Sequence, residues 1–380
     1  MMLLSIVCSA LTLAYIALML FYRKGWDMQG EFILPLGYKA STRISIVIPA
    51  RNEAENIGKC ISSILLQDYS KELFEIIVVD DHSDDGTADI VNAFKNENIK
   101  CISLAEYMQD KGETMAYKKM AIAAGIENSD GELILTTDAD CVVPAEWLIH
   151  VAALYEINKP VMIAGPVCFT SDKSLVQQFQ SIDFMGMQGI TIAAHQLKLG
   201  NMCNGANLAF SRQAYNEVKG YTGIDHLASG DDYLLMMKMQ KAYPGRITYL
   251  KSDRAIVQTS PQPDWSGFIQ QRIRWASKSG KYNDKKLTAA LVLVYLYNVS
   301  FLVLALCGFS DHYYWSVAVL MLLAKIITEF YFLAPVSKFF KKQIHLLSFS
   351  FMQLLHIAYI IAAGFLGFVG VYKWKGRVVK

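Results

Sequence analysis

The chain has 380 residues, of which 36 are basic and 34 are acidic, and its mean hydropathy is positive. These charges are unevenly distributed: residues 1–22 and 287–309 contain none, whereas residues 23–286 contain 28 basic and 32 acidic side chains. Such a division excludes both a wholly water-soluble globule and a protein built only of membrane helices. The sequence therefore predicts a charged domain, residues 23–286, that is flanked by apolar segments.

The apolar run at residues 1–22 matches the length of a membrane helix, because about 20 apolar residues span the hydrocarbon of a bilayer. We expect a retained N-terminal anchor. A cleaved signal peptide is the alternative, but it carries positive charge before its apolar run, whereas Arg23 and Lys24 follow this one. Since basic residues favour the cytoplasmic side, this order predicts a cytoplasmic domain at the cell (inner or plasma) membrane.

Three more membrane segments are predicted at about 287–309, 313–335 and 344–372, followed by a basic tail, 373–380. The tail lies outside the cell if the last segment crosses, against the positive-inside tendency, so a re-entrant or interfacial segment is the alternative. Inside the segment 313–335, Lys325 and Glu329 are four residues apart. We expect a neutralising pair on one helix face, with an ion or substrate path as the alternative.

Cysteine spacing and charge pattern argue against two kinds of site. The seven cysteines show no Cys-x-x-Cys or Cys/His spacing, which favours a reduced compartment without a zinc site or a disulfide framework. The charged domain has no basic stripe with interleaved aromatic residues, which argues against a nucleic acid partner.

Within the charged domain, short apolar strands at 44–48, 74–79 and 132–137 alternate with predicted helices at 52–66 and from Thr87. Strands that are apolar throughout are typical of a sheet that helices cover on both faces. The order predicts an α/β fold with a doubly wound parallel sheet. In such sheets ligands bind at the carboxyl ends of the strands.

Acidic residues follow two of these strands. Asp80 and Asp81 close the second strand, and Asp138 and Asp140 follow the third. Because alternate residues of an extended chain point the same way, Asp138 and Asp140 can face one site and offer oxygen ligands to a hard divalent cation. A solvated turn explains an isolated Asp-x-Asp pair equally well, but the position after an apolar strand favours a site.

Two later motifs have both a structural and a functional interpretation. Asp231 and Asp232 begin a predicted helix, where they either complement the helix dipole or hold a general base near a pocket. Gln271, Arg274 and Trp275 share one face of a predicted helix just before the membrane. A surface helix at the membrane interface would carry the same residue types.

In this order, five motifs resemble the membrane-integrated branch of glycosyltransferase family 2, whose members have a Rossmann-like GT-A fold and invert the anomeric centre. The motifs are residues 46–53 (IVIPARNE), 78–87 (VVDDHSDDGT), 138–140 (DAD), 230–232 (GDD) and 271–275 (QRIRW). The resemblance runs from about residue 44 to residue 275.

The resemblance implies which residues bind the nucleotide sugar. They are Pro49, Arg51, Glu53, Asp80, Asp81, Lys118 and Asp138. Lys118 follows Tyr117 where the family commonly has a glycine. The resemblance further implies that Asp140, with Asp138, holds Mg²⁺ or Mn²⁺.

The resemblance also implies the catalytic and acceptor residues. Asp232 would be the catalytic base, and Asp231, which stands where the family has a glutamate, is the neighbouring candidate. Gln271, Arg274 and Trp275 would bound the acceptor site and contact the diphosphate.

The implied reaction is a single displacement in which an acceptor hydroxyl attacks the anomeric carbon of a UDP-sugar while the nucleotide diphosphate leaves. Four membrane segments are few for a translocation channel, so we expect one sugar to be transferred to a lipid acceptor at the cytoplasmic leaflet. The segment 172–200 lies either in the interface, where it helps to admit that acceptor, or as a buried helix of the domain. A processive polysaccharide synthase, completed by a partner subunit or a homo-oligomer, is the alternative within the family.

Two classes of protein outside the family are alternatives. A metal-dependent nucleotidyl or sugar-phosphate transferase would use Asp138 and Asp140 as well, but the sequence has no Gly-rich phosphate loop. A catalytically silent membrane scaffold needs neither this pair nor Asp232.

Overall fold

The structure is a computed structural model that describes residues 2–96, 98–109, 116–170, 173–199, 202–227, 229–276, 284–343, 346–369, 372–374 and 377–379. The helices in these ranges are α1 Met2–Met28, α2 Ile57–Leu65, α3 Thr87–Ala93, α4 Leu104–Tyr107, α5 Tyr117–Glu127, α6 Trp147–Asn158, α7 Leu175–Leu197, α8 Arg212–Glu217, α9 Tyr233–Ala242, α10 Trp265–Ala276, α11 Lys285–Gly308, α12 Tyr313–Phe339 and α13 Leu346–Val369. The strands are β1 Ile44–Ala50, β2 Phe74–Asp80, β3 Ile99–Ser103, β4 Leu133–Thr136, β5 Met162–Ala164, β6 Val167–Phe169, β7 Leu208–Ser211, β8 Ile247–Tyr249, β9 Val257–Thr259, β10 Tyr372–Trp374 and β11 Arg377–Val379.

The chain divides into two compact units. The sheet unit comprises Gly30–Thr170 and Met202–Ser260, and the helical unit comprises Met1–Gln29, Ser171–Asn201 and Pro261–Lys380. The predicted charged domain therefore contributes residues to both units.

The sheet unit is built around a seven-stranded sheet with the order β3-β2-β1-β4-β7-β5-β8. The three predicted strands are confirmed as β1, β2 and β4, which are parallel to one another within the sheet, as is β3. The predicted α/β sheet is mixed rather than wholly parallel, because β7 lies antiparallel between β4 and β5. An apolar run predicts a buried strand, but its direction is set by the partners it pairs with.

The reversal of β7 brings its amino end to the edge where β1, β2 and β4 have their carboxyl ends. Leu208, the first residue of β7, pairs with Thr136, the last residue of β4. Thr136 Oγ1 also donates a hydrogen bond of 2.8 Å to the carbonyl oxygen of Gly205, in the turn before β7. The residues that precede β7 therefore lie beside those that follow β4.

Asn207 fixes this turn from its buried side. Its Nδ2 donates to the carbonyl oxygens of Pro166 and Ala255 at 2.9 Å each, and its Oδ1 accepts from Trp147 Nε1 at 3.0 Å. Both amide hydrogens and the amide oxygen are thus satisfied, as a buried side chain requires. The turn before β7 is therefore anchored to three other segments of the sheet unit.

Helix α5 packs directly onto β1 at Gly125. An added Cβ there would lie 2.4 Å from Val47 Cγ1, so only glycine allows this close approach. At the other end of α5, the first turn carries Lys118.

Four helices in the described part of the helical unit, α1, α11, α12 and α13, are long and apolar enough to cross a membrane. Their positions agree with the predicted segments, except that α1 continues past residue 22 to Met28, α12 continues past residue 335 to Phe339, and Tyr372 belongs to β10. This indicates a membrane-associated protein. Of the last predicted segment, Ile344, His345, Gly370 and Val371 lie outside the described residues. Of the predicted basic tail, Lys375 and Lys380 lie outside the described residues.

The predicted segment 172–200 contains helix α7, and the first and last residues of that segment, Asp172 and Gly200, lie outside the described residues. The helix begins with a capping box between Ser174 and Gln177. In the helical unit it packs closely on α12, because an added Cβ at Gly189 would lie 2.8 Å from Val336. Most of its side chains are buried.

The predicted pair between Lys325 and Glu329 is confirmed, because Lys325 Nζ contacts Glu329 Oε1. Gln353 of α13 forms hydrogen bonds with both charged groups. Its Oε1 accepts from Lys325 Nζ at 2.9 Å, and its Nε2 donates to Glu329 Oε2 at 2.7 Å. The Tyr15 hydroxyl of α1 also donates to Glu329. The side chain of Lys325 is 0% exposed, so each charge depends on these partners.

Loss of one charge of this pair is expected to destabilise the helical unit more than loss of both. Lys325→Met or Glu329→Leu alone leaves a buried charge without its partner, at a cost of about 3–5 kcal/mol, whereas the double variant replaces both charges with apolar side chains. The free energy of unfolding of the purified protein in mixed detergent micelles measures the difference. Single variants as stable as the unmodified protein would contradict this account.

Candidate active site

Two loops at the carboxyl edge of the sheet are tied together by hydrogen bonds. The N–H groups of Glu53 and Ala54, after β1, donate to Thr87 Oγ1 at 2.8 Å and to Asp85 Oδ2 at 2.9 Å, after β2. Although desolvation opposes it, hydrogen bonds from Thr87 and Ala54 hold the pKa of Asp85 below its ordinary value. Gly86 supplies the positive φ of 88° that this loop needs. These bonds explain the Asp-Gly-Thr sequence.

Asp81 is the buried acidic residue of these loops. Arg51 Nη1 donates to its carbonyl oxygen at 2.9 Å and lies 3.5 Å from its Oδ1. His82 Nδ1 lies 2.9 Å from the same Oδ1. The N–H of Asp81 donates to the carbonyl oxygen of Ala50 at 2.7 Å, which fixes it beside the end of β1. Arg51 and Asp81 therefore form an ion pair at the carboxyl edge of the sheet.

The other predicted residues of β1 and β2 lie at the same edge. Pro49 is the penultimate residue of β1, and Asp80 ends β2 with its Oδ2 accepting from the N–H of Ser83 at 3.3 Å. Glu53 Oε2 accepts from Asn56 Nδ2 at 2.9 Å.

Asp138 and Asp140, after β4, have different partners. Asp138 Oδ1 lies 2.7 Å from Lys118 Nζ. Asp140 Oδ2 accepts from Thr259 Oγ1, at the end of β9, at 3.1 Å. The Asp138 carboxylate therefore faces the ammonium group of Lys118, and the Asp140 carboxylate faces the hydroxyl group of Thr259.

Lys118 joins Asp138 to a second carboxylate, since its Nζ also lies 3.4 Å from Asp231 Oδ2. Gly205 lies against this contact: an added Cβ would be 3.2 Å from Asp231 Oδ2 and 3.6 Å from Lys118 Nζ. Burial lowers the pKa of Lys118, but the carboxylates of Asp138 and Asp231 outweigh it and raise the pKa above its ordinary value. Lys118 therefore stays charged throughout the physiological range of pH.

Asp232 is the N-cap of α9. Its Oδ1 accepts from the N–H of Tyr233 at 2.7 Å, and its Oδ2 accepts from the N–H of Gly205 at 3.2 Å. Each carboxylate oxygen has two lone pairs, so these bonds hold the group in place and leave it able to accept a proton.

The loop before Asp231 is held by a second lysine. The buried Lys119 Nζ donates to the carbonyl oxygen of Ser229 at 2.9 Å and also to that of Leu227. Gly230 then takes a positive φ of 81°, which turns the chain into the acidic pair. The adjacent residues Lys118 and Lys119 thus fix the side chain of Asp231 and the loop that leads to it.

The donor atoms at this edge fit a hard divalent cation. Asp138 and Asp140 offer carboxylate oxygens, which Mg²⁺ and Mn²⁺ prefer. Within the part of the chain that the structure describes, no group of three or more His, Cys, Asp or Glu side chains is arranged to hold a metal ion. A cation held by this pair would take its further oxygen ligands from a bound molecule or from water.

Gln271, Arg274 and Trp275 are half-buried on α10, in the helical unit. Gln271 Oε1 accepts from Arg272 Nη1 at 3.3 Å, and the Trp275 ring packs against Phe184 with ring centres 5.8 Å apart. The predicted helix is confirmed.

Three contacting residues were not predicted from the sequence. Gly205 belongs to an Asn-Gly-Ala-Asn motif before a strand, but that motif does not indicate that the Gly205 N–H contacts Asp232. Thr259 carries no sequence signal, because its role depends on the pairing of β9. Arg272 lies inside the Gln-x-x-Arg-Trp motif at a position that the motif leaves open.

Two family models match the sequence. Glycosyl transferase family 2 matches residues 45–219, and Glycosyl transferase family group 2 matches residues 133–366, which is more than half of the chain. The chain therefore belongs to glycosyltransferase family 2.

Curated relatives match parts of the chain. Glycosyltransferase AglE of Haloferax volcanii is 29% identical over 191 residues, which are 50% of this chain and 58% of the relative. Poly-beta-1,6-N-acetyl-D-glucosamine synthase of Staphylococcus epidermidis is 25% identical over 236 residues, which are 61% of this chain and 53% of the relative. The chain thus spans little more than half the length of these relatives.

A solved structure shares the fold. The mannosyltransferase PcManGT of Pyrobaculum calidifontis, in complex with GDP-Man and Mn²⁺, has a TM-score of 0.55 and 19% sequence identity. The match covers 93% of this chain and 99% of that one. It confirms the GT-A fold.

Cys60 and Cys141 lie buried beside the turn that contains Asp138 and Asp140. Burial raises the pKa of both thiols, and the nearby carboxylates raise it further. A thiol stays protonated below its pKa, so neither becomes a reactive thiolate as the pH rises from about 7 to about 9. We expect N-ethylmaleimide to spare both in the folded protein and to label both in denaturant, as read by peptide mass spectrometry. Equal labelling in the two conditions would refute this.

Proposed function

We propose that this protein transfers a sugar from a nucleoside diphosphate sugar to a lipid acceptor at the cytoplasmic leaflet. The donor proposed first is a UDP-sugar, and the transfer inverts the anomeric carbon. The observation that carries this proposal is the set of carboxylates around Lys118 at the carboxyl edge of the sheet. GDP-Man bound to the mannosyltransferase of the same fold supports the donor class.

The nucleotide part of the donor is proposed to bind at the ends of β1 and β2. Pro49, Arg51 and Glu53 line one side, and Asp80 and Asp81 line the other. The contacts between Arg51 and Asp81 support this role, because they hold two polar groups in fixed positions at the sheet edge. Asp81 is proposed to face the base.

The diphosphate is proposed to bind between Lys118, Asp138 and Asp140. An ammonium group has three N–H donors, and its two carboxylate contacts leave one for a phosphate oxygen. Asp138 and Asp140 would hold Mg²⁺ or Mn²⁺, whose charge offsets the negative charge that develops on the leaving diphosphate. Asp140 is kept in orientation by Thr259.

Asp232 is proposed as the general base that takes the proton of the acceptor hydroxyl while its oxygen attacks the anomeric carbon. The N–H bonds from Tyr233 and Gly205 hold its carboxylate in one orientation, which favours proton transfer. Asp231 is the less suitable candidate, because its charge is offset by Lys118 at 3.4 Å.

A lipid acceptor is favoured by the membrane helices of this chain. Gln271, Arg274 and Trp275, which precede α11, are proposed to bound the acceptor and to contact the diphosphate. A multi-pass position in the plasma membrane, with the sheet unit in the cytoplasm, is proposed, and the basic residues Arg23 and Lys24 support this orientation.

Processive polysaccharide synthesis is the second candidate. It is supported by the relative named poly-beta-1,6-N-acetyl-D-glucosamine synthase. The two candidates differ in their products, since one gives a glycolipid with a single added sugar and the other gives a ladder of oligosaccharides.

Substitution of either proposed active-site carboxylate is expected to abolish most of the transfer. Asp140→Asn weakens the cation site and Asp232→Asn removes the base, so each should reduce kcat about 100-fold or more. The matched control is Asp225→Asn, whose side chain is 55% exposed near the same acidic loop and should keep full activity. Undiminished sugar transfer by Asp232→Asn would exclude it as the base.

The donor and acceptor are identified by one assay. The purified protein is incubated with UDP- and GDP-linked sugars, membrane lipids and Mn²⁺ or Mg²⁺, while nucleotide diphosphate release and lipid products are followed by mass spectrometry. We expect release with one donor and one added sugar on a lipid. A product ladder would favour the processive candidate, and no release with any donor would reject the proposed donor class.

A further inference from the structure

Helix α10 contains a buried arginine beside the motif residues Gln271, Arg274 and Trp275. Those three side chains are half-buried, whereas the side chain of Arg272 is only 3% exposed. A guanidinium group is always charged, so its removal from water is costly unless it is paired. The position of Arg272 therefore depends on the groups that surround it.

Asp183 of α7 supplies the opposite charge. Its Oδ2 lies 2.6 Å from Arg272 Nη2, and its side chain is 4% exposed. Its Oδ1 accepts from the Tyr359 hydroxyl at 3.1 Å and lies 3.6 Å from His356 Nε2, both on α13. Burial raises the pKa of Asp183, but Arg272 and then His356 outweigh it and hold the pKa below its ordinary value. Asp183 thus links α10 to both α7 and α13.

Arg272 also contacts two of the three motif residues. Its Nη1 donates to Gln271 Oε1 at 3.3 Å, and its guanidinium carbon lies 4.2 Å from the centre of the Trp275 ring. Because a guanidinium has donors only, it selects the amide orientation in which the oxygen of Gln271 faces Arg272 and the NH₂ group is left for another acceptor. Stacking of the planar cation on the indole also fixes the plane of Trp275.

We propose that Arg272, anchored by Asp183, is a positioning residue for Gln271 and Trp275. It directs the NH₂ donors of Gln271 to the oxygen atoms of the diphosphate or of the acceptor, and it keeps the Trp275 ring in place as a wall of the acceptor site. This inference rests on the proposed function for the roles of these two residues. Arg272 itself touches no reacting atom.

The variant Arg272→Lys tests positioning without removing the charge opposite Asp183. A lysine has no planar fork with which to reach Gln271 and Trp275 as well. We expect kcat to fall about tenfold or more, while the KM for the donor changes less than about threefold and the melting temperature stays near that of the unmodified protein. Unchanged kcat per folded molecule would show that Arg272 only supports the fold, which would overturn the proposal.

The double variant Asp183→Leu/Arg272→Leu removes the pair without leaving a buried charge unpaired, and such replacements are generally compatible with folding. Its matched control is Arg23→Gln/Asp27→Asn, which removes another ion pair of the helical unit, between Arg23 Nε and Asp27 Oδ2 at 2.8 Å. We expect a loss of kcat of about tenfold or more in the first and near-normal kcat in the control. Full activity of the first variant would overturn the proposal.

A double-mutant cycle shows whether Arg272 acts through the amide. Gln271→Ala should lower kcat in the unmodified protein but should have little further effect once Asp183 and Arg272 are replaced, because the amide is then already unpositioned. If the effects of Gln271→Ala and of the double leucine variant on kcat simply multiply, Arg272 does not act through the Gln271 amide.

Hydrogen–deuterium exchange tests the positioning independently of the reaction. In the double leucine variant we expect amide exchange across Trp265–Ala276 to be about tenfold faster, with no change in the control variant. Unchanged exchange would overturn the proposal even if no donor were known. Faster exchange together with no transfer by the unmodified protein would instead count against the proposed function alone.

Discussion

The carboxyl edge of the sheet depends on the charge of Lys118. Asp138 follows β4 and Asp231 precedes α9, and the oxygen of each lies within 3.4 Å of the same ammonium nitrogen. The two oxygens are therefore at most about 6 Å apart, so two negative charges there repel by at least roughly 3 kcal/mol at an effective dielectric constant of 20. On the same scale the lysine attracts the two carboxylates, at 2.7 and 3.4 Å, by about 6 and about 5 kcal/mol. Lys118 is thus the counter-charge that allows both segments to approach.

The same interaction determines what the edge can bind. Lys118 offers one positive charge, while Asp138, Asp231 and the neighbouring Asp232 offer three negative charges. An excess of negative charge remains, which favours a cation, and a bare diphosphate would be repelled without one. Under the proposed function, a diphosphate and a cation are therefore expected to bind together. Lys119 holds the loop before Asp231 through the carbonyl oxygen of Ser229. It thereby keeps Asp231 in place just before α9.

The parts of this edge that the sequence predicts are those with a local pattern. Apolar runs that end in polar residues indicated β1, β2 and β4, and the spacing of Asp138 and Asp140 indicated a pair after a strand. The direction of β7 could not be predicted, because an apolar run looks the same in a parallel and in an antiparallel strand. That direction is what brings Gly205 to Asp232. The contact between Thr259 and Asp140 depends on the same long-range pairing and has no local signature.

Two buried ion pairs of the helical unit differ in how far the sequence predicts them. Lys325 and Glu329 are one helical turn apart, so the period of the helix alone predicts their contact, and an isolated helix can form it. Arg272 and Asp183 lie on different helices, and the helical period places Arg272 beside Trp275, three residues on, without showing that its side chain is buried or which helix it meets. Only the position of α7 decides this. A pair that forms within one helix can stabilise that helix, whereas a pair between helices also fixes their relative positions. The Arg272–Asp183 pair is therefore the one that can keep Gln271 and Trp275 in a defined geometry.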